Sequence, residues 1–266
     1  MRKLPVTAAL THAFKSTWHN LPFAIRASWP WLMLLIPFNL YFTTGLPELD
    51  PATTDPVKQA ELAKAVLGFY ATAAVSMVVY ASIGVTWHRY ILQDEQPQGL
   101  KSLRLDSTVW RYVGNTILVA LFAVFSILPL AILSSIVLQV LGAPLQAVMP
   151  FYVAFAILIA LPVTYRFSLK LPAIAIGNKN FRFGDAWNVT RGSMPQLILL
   201  GGAVFLGLSA AGIILGVAEQ GVQAALGEAG AILFRVLSQL ISWIVAIFTI
   251  TMLTSLYGFF VEKRDF

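Results

Sequence analysis

Six runs of mainly apolar residues, at roughly 27–46, 65–87, 113–139, 148–165, 194–217 and 236–259, restrict what this chain can become. Each is near the length of about 20 residues that an α-helix needs to cross the hydrocarbon of a bilayer. A segment in lipid must pair its own backbone groups, so runs of this kind read as helices. The third and sixth are long enough to tilt or to extend past the core. The fourth is shortest and leads into Leu171–Ile176, too short to cross again and therefore expected at the cytoplasmic interface.

The remainder supports a single transmembrane domain over residues 1–266. Apolar residues make up 58% of the chain and charged ones 11%, against about 45–50% and 25% in soluble domains. The polar stretches 88–111 and 166–193 are too short to fold alone. The net charge of +6 is scattered over several membrane-flanking segments with no nucleic-acid motif, so nucleic acid is not an expected partner. No cysteine is present, which removes disulfides, thiol catalysis and thiolate metal sites together. No cleavable leader is expected. The first long apolar run starts only after Arg26, carries Pro30 and Pro37, and lacks a small-residue cleavage pattern.

Lysine and arginine resist translocation, so their distribution orients the chain. With both termini cytoplasmic, the inner segments hold Arg2, Lys3, Lys15, Arg26, Arg89, Lys101, Arg104, Arg111, Arg166, Lys170, Lys179, Arg182, Arg191, Lys263 and Arg264. Only Lys58, Lys64 and Arg235 fall outside, a division of 15 against 3. Trp18, Trp29, Trp87, Trp110 and Trp187 lie near the same cytoplasmic boundaries, where amphipathic rings rest at headgroup level. The lipid-contacting set expected at this face is Lys15, Trp18, Arg26, Trp87, Arg89, Trp110, Arg111, Arg166, Arg182, Trp187 and Arg191.

Two segments read as amphipathic and interfacial. Over residues 6–21, Leu10, Phe14, Trp18 and Leu21 share one helical face. Over 177–191, Gly184-Asp185 resembles a turn and cap, with Phe183 and Trp187 one turn apart. Val85-Thr86-Trp87-His88-Arg89, Val163-Thr164-Tyr165-Arg166 and the looser Leu253-Thr254-Ser255-Leu256-Tyr257 end the even-numbered spans. Their recurrence suggests three helical hairpins in one orientation, or the repeated chemistry of an interface.

Chemistry inside the spans is sparse. No carboxylate lies centrally in any of them, which weakens a proton-coupled mechanism. Asn39, Ser76, Tyr80, Ser134, Ser135, Gln239 and Ser242 are expected to bond across helices or to carbonyls, and Arg235 to pair with Glu228 or Glu219. Gly212-Ile213-Ile214-Leu215-Gly216, with Gly207 and Ala211, marks the fifth span for close helix packing in the bundle or at a partner. Pro129 and Pro162 are expected to kink the third and fourth spans. Asp94-Glu95 reads as a solvated acidic step, and His12, His19 and His88 do not form a metal set. No zinc-binding His-Glu-x-x-His, nucleophile elbow, phosphate loop or dinucleotide fingerprint occurs, so neither an enzyme nor a cofactor is expected.

The run Tyr165-Arg166-Phe167-Ser168-Leu169-Lys170-Leu171-Pro172-Ala173-Ile174-Ala175-Ile176-Gly177, followed by Asp185-Ala186-Trp187 and Thr190-Arg191-Gly192, resembles small bacterial inner-membrane proteins of the YciC type. It is also similar to the membrane domains attached to some glycerophosphodiester phosphodiesterases. The resemblance implies a bacterial inner-membrane setting, and no phosphodiesterase activity is carried over with it. The expectation is an all-α polytopic bundle acting by association. It would serve as an accessory subunit of a membrane complex or as a lipid-contacting scaffold. Anionic headgroups and a membrane-protein partner or second copy are the expected contacts. The alternative is a transporter of a small solute or lipid.

Overall fold

A computed structural model describes residues 3–43, 55–96, 99–142 and 149–266. Among these the chain is helical, with no strand. The elements are α1 (Val6–His19), α2 (Leu21–Thr43), α3 (Pro56–Gln93), a short 3₁₀ turn (Gly99–Ser102), α4 (Ser107–Val140), α5 (Met149–Phe155), α6 (Leu161–Ser168), α7 (Lys170–Ala175), α8 (Phe183–Val189) and α9 (Met194–Phe260). Five helical stretches are long and apolar enough to cross a membrane: Leu21–Phe42, Pro56–Gln93, Ser107–Val140, Tyr152–Ala175 and Met194–Phe260. The expected end of the first span at 46 and start of the fourth at 148 lie outside the described residues, as do residues 47–54 of the 47–64 connection.

Local chemistry sets where the helices begin. Asp55 Oδ1 accepts from Val57 N at 2.9 Å, with Pro56 at the first helical position of α3, where its missing N–H is no loss. Asp106 Oδ1 accepts from Thr108 N at 2.9 Å and Val109 N at 3.2 Å to open α4. Between α5 and α6 the chain passes through a π-helical turn, Ala156–Ala160, with Pro162 just beyond it. The expected bend at Pro162 is therefore a widened turn, which removes the clash of the proline ring with a preceding carbonyl.

Helix α9 holds 67 residues, a length that would span about 100 Å if straight. It is not straight. Gly227 adopts φ 67°, ψ −159°, a region open in practice only to glycine. Arg235 Nε and Glu219 Oε1 meet at 2.7 Å although they are 16 positions apart, a separation of about 24 Å along a continuous helix. A Cβ placed on Gly230 would lie 2.4 Å from Leu226 Cβ, so the two arms also approach closely just beyond the break. The pairing of Arg235 with Glu219, rather than Glu228, follows from this reversal.

The tightest packing lies at one end, where residues 81–88 of α3, 171–175 of α7 and 251–260 of α9 are all buried. Leu171–Ala175, expected at the interface, is a core element. Arg89 Nε donates to Ala175 O at 2.6 Å and Gln93 Nε2 to Ile176 O at 3.1 Å, closing its C-terminus. Helix α1 docks on α9 through Ala9, Ala13 and Thr17, while Phe14 and Trp18 point outward at 63% and 62% exposure. Of the expected apolar stripe, Phe14 and Trp18 thus face outward, while Leu10 and Leu21 pack against the core. Alanines allow the backbones to approach, and lipid removes the reason to hide the large rings.

Small residues do govern helix approach, at other positions than those expected. Gly201 and Gly202 are buried, and a Cβ on Gly201 would stand 3.0 Å from Leu161 Cβ and 3.2 Å from the Tyr165 ring. Gly207, Gly212 and Gly216 are exposed with nothing within 4 Å of a built Cβ, and Ala211 is half-buried. Within this chain the Gly-x-x-x-Gly face packs against no helix. Overfilling a close contact costs about 1–3 kcal/mol. Gly201→Leu is therefore expected to lower the unfolding midpoint in detergent, and Gly207→Leu to leave it unchanged, as thermal melts followed by circular dichroism will show.

Candidate functional site

The buried end contains a polar network that the sequence patterns do not announce. His88 is fully buried, with Nδ1 2.8 Å from Thr254 Oγ1 and Nε2 3.1 Å from Tyr112 Oη. The Thr254 hydroxyl donates to Ile250 O at 2.8 Å, so its oxygen accepts from His88 Nδ1–H. Tyr112 then donates to Nε2, and a neutral imidazole meets both of its needs. Gly84 leaves room for this phenol, since a Cβ there would sit 3.1 Å from Tyr112 Oη. Trp31 Nε1 donates to Ser82 Oγ at 3.1 Å, six residues before His88 on α3. These bonds join α2, α3, α4 and α9 where lipid supplies no hydrophobic drive for helix association.

Beside the network lies a partly open cavity of about 510 Å³. Its walls come from α3, α4, α6, the start of α7 and both arms of α9, and include Tyr112, Thr116, Leu161, Val204, Leu208 and Leu253. No charged residue lines it. The hydroxyls of Tyr80, Tyr165 and Ser168, on residues that also line it, make no hydrogen bond within the described residues. An apolar chamber with a few convergent hydroxyls is suited to a chain-like or neutral apolar ligand. A second, polar pocket of about 390 Å³ lies towards Gly227, lined by Glu219, Arg235, Ser238, Gln239 and Ser242. Gln239 Oε1 also accepts from Asn39 Nδ2 at 3.1 Å.

The basic end divides into exposed and structural members. Lys15, Trp18, Arg26, Trp110, Arg111, Arg182, Trp187 and Arg191 are exposed. Arg111 and Arg182 lie within electrostatic reach of Lys170, whose ammonium donates to Phe181 O. Trp87 does not join this face. It is buried against Phe23 and Tyr90, because α2 folds across it. Arg166 is buried too, its guanidinium 4.3 Å from the centre of the Trp187 ring, and serves as a brace between α6 and α8. Arg89 divides between Ala175 O and Glu95 Oε2 at 3.2 Å, and Arg104 also binds Glu95. Glu95 therefore ties the α3 terminus to the following segment and is not a free solvated carboxylate.

Sequence reasoning missed His88, Thr254, Tyr112 and Gly201 as a set, for they are distant in sequence and match no motif. The one available signal was the Thr-aromatic-His and Leu-Thr-Ser pattern at the span ends. Among the described residues, no three His, Asp or Glu side chains converge to hold a metal. No protein-family profile, curated protein or solved structure matches the chain.

His12 couples the docking of α1 to pH. Its Nδ1 lies 3.0 Å from Ser255 Oγ, which itself donates to Thr251 O at 2.9 Å. Burial lowers the His12 pKa from its ordinary 6.5. As pH falls, the undocked state takes up the proton first, so His12's contribution is full above its ordinary pKa and is lost below it towards the folded value. Amide protection in α1 is expected to fall between about pH 7 and pH 5, and His12→Gln to remove that dependence in hydrogen-exchange measurements.

Proposed function

We propose that this chain is a bacterial inner-membrane protein with six crossings and both termini in the cytoplasm, acting without catalysis as a lipid-holding scaffold or accessory subunit. The inner-membrane setting rests on the resemblance to proteins of the YciC type, and the orientation on the 15-to-3 division of basic residues. Counting α9 as two crossings, one before and one after Gly227, returns both chain ends to one side. Three hairpins then follow, each bridged by a polar pair: Trp31 with Ser82, Ser135 with Tyr152 at 2.6 Å, and Glu219 with Arg235.

The observation that carries the reading is the apolar cavity of about 510 Å³. A volume in the range of about 300–1,000 Å³ is typical of sites that enclose a small ligand. The uncharged wall favours a lipid chain over a polar solute. The exposed cations Lys15, Arg26, Arg111, Arg182 and Arg191 favour anionic headgroups around the same end, each near-surface charge contributing about 1 kcal/mol. A lipid transporter is the second reading, and the same cavity supports it. Transport of a charged solute has no support from the cavity wall.

Extraction of the whole protein in polymer discs, followed by lipid mass spectrometry, tests the proposal. Phospholipid is expected to be retained after exhaustive exchange into detergent. Val204→Trp, which fills the cavity from the first arm of α9, is expected to reduce retention by roughly twofold or more. A solitary monomer free of lipid and partner would overturn the proposal. Flux of lipid in reconstituted vesicles would favour the transporter reading.

A further inference from the structure

The apolar cavity and the polar pocket lie on common helical stripes. On the second arm of α9, Arg235, Gln239 and Ser242 face the polar pocket, and Ala246, Thr249 and Leu253 face the apolar cavity. Spacings of three and four residues keep all six on one side of the helix. Ser242 and Ala246 are a single turn apart, about 6 Å. The first arm repeats the order: Val204 and Leu208 line the cavity, and Glu219 lines the pocket. The two chambers therefore adjoin along the second arm, between Ser242 and Ala246.

The polar chamber presents both signs of charge. Arg235 uses Nε for Glu219, and its two Nη groups have no partner among the described residues. Glu219 Oε2 is likewise outside the 2.7 Å contact made by Oε1. Ser238 Oγ is buried without a hydrogen bond. A guanidinium fork suits a phosphate, and a free carboxylate oxygen suits an ammonium that can donate. From this complementarity we infer that the two chambers form one site for a zwitterionic phospholipid bearing a primary ammonium. Its phosphate sits on Arg235, its ammonium on Glu219, and one acyl chain passes from Ser242 along Ala246 into the apolar cavity. The head enters from the leaflet at the Gly227 end. A quaternary head lacks the N–H donors, and an anionic head meets Glu219 unfavourably.

The inference rests on the lipid-holding reading, and the test separates the two. Full-length protein stripped of lipid is incubated with vesicles containing equal parts of phosphatidylethanolamine, phosphatidylcholine and phosphatidylglycerol, and bound lipid is counted by native mass spectrometry. The wild type is expected to favour phosphatidylethanolamine by about tenfold, the scale of one charge-assisted hydrogen bond. Glu219→Gln is expected to abolish that preference while lipid remains bound. Ala246→Trp keeps the ion pair, fills the cavity where it adjoins Ser242, and is expected to reduce retention of every lipid. Retention without head preference in the wild type overturns the inference and leaves the lipid-holding reading intact. So does a preference that survives both variants. Absence of any retained lipid overturns both.

Discussion

A single glycine determines whether α9 is one rod or two arms. At φ 67°, ψ −159° Gly227 holds a conformation that side chains with a Cβ avoid. The chain on either side is helical over lengths that each suffice to cross about 30 Å of hydrocarbon. Once the arms lie together, Glu219 reaches Arg235 and two faces of one helix enclose a shared cavity. A straight α9 would leave no second wall for that cavity and no partner for an arginine near the membrane.

The two ends of the bundle obey different rules. At the α1 end, residues 251–260 are buried, and the polar side chains among them are paired: Thr254 with His88, Ser255 with His12, Tyr257 with Asn178, and Thr251 with a backbone carbonyl. Towards Gly227 large apolar side chains face outward, as do Leu206, Ile213 and Val217. Lipid solvates such groups without penalty, so association there rests on small residues and hydrogen bonds. The division leaves a densely buried base and a more exposed half, with the apolar cavity between them.

Apolar length made the existence of membrane-length helices legible, because it depends only on local composition. Residues 218–235 were read as a connection since Glu219, Glu228 and Arg235 interrupt the apolar run. Their neighbours are mostly good helix formers, and the helix continues through them apart from Gly227. Trp87 and Trp110 have the same aromatic-then-basic signature, but only Trp87 has α2 folded over it. In α1 the large Phe14 and Trp18 lie outside, whereas docking uses the small Ala9 and Ala13. Gly201-Gly202 lacks the familiar spacing and nevertheless makes the close approach. In each case the missing information was which partner helix lay opposite.

Reversal at Gly227 is the claim on which cavity, ion pair and orientation all rely. The chain contains no cysteine, so a single introduced thiol can be followed without background. Glu228→Cys, at the exposed turn, should react with a membrane-impermeant maleimide in intact cells. Asp265→Cys, beyond the end of α9, should react only after the membrane is opened. Labelling of both positions from the same side would contradict the account.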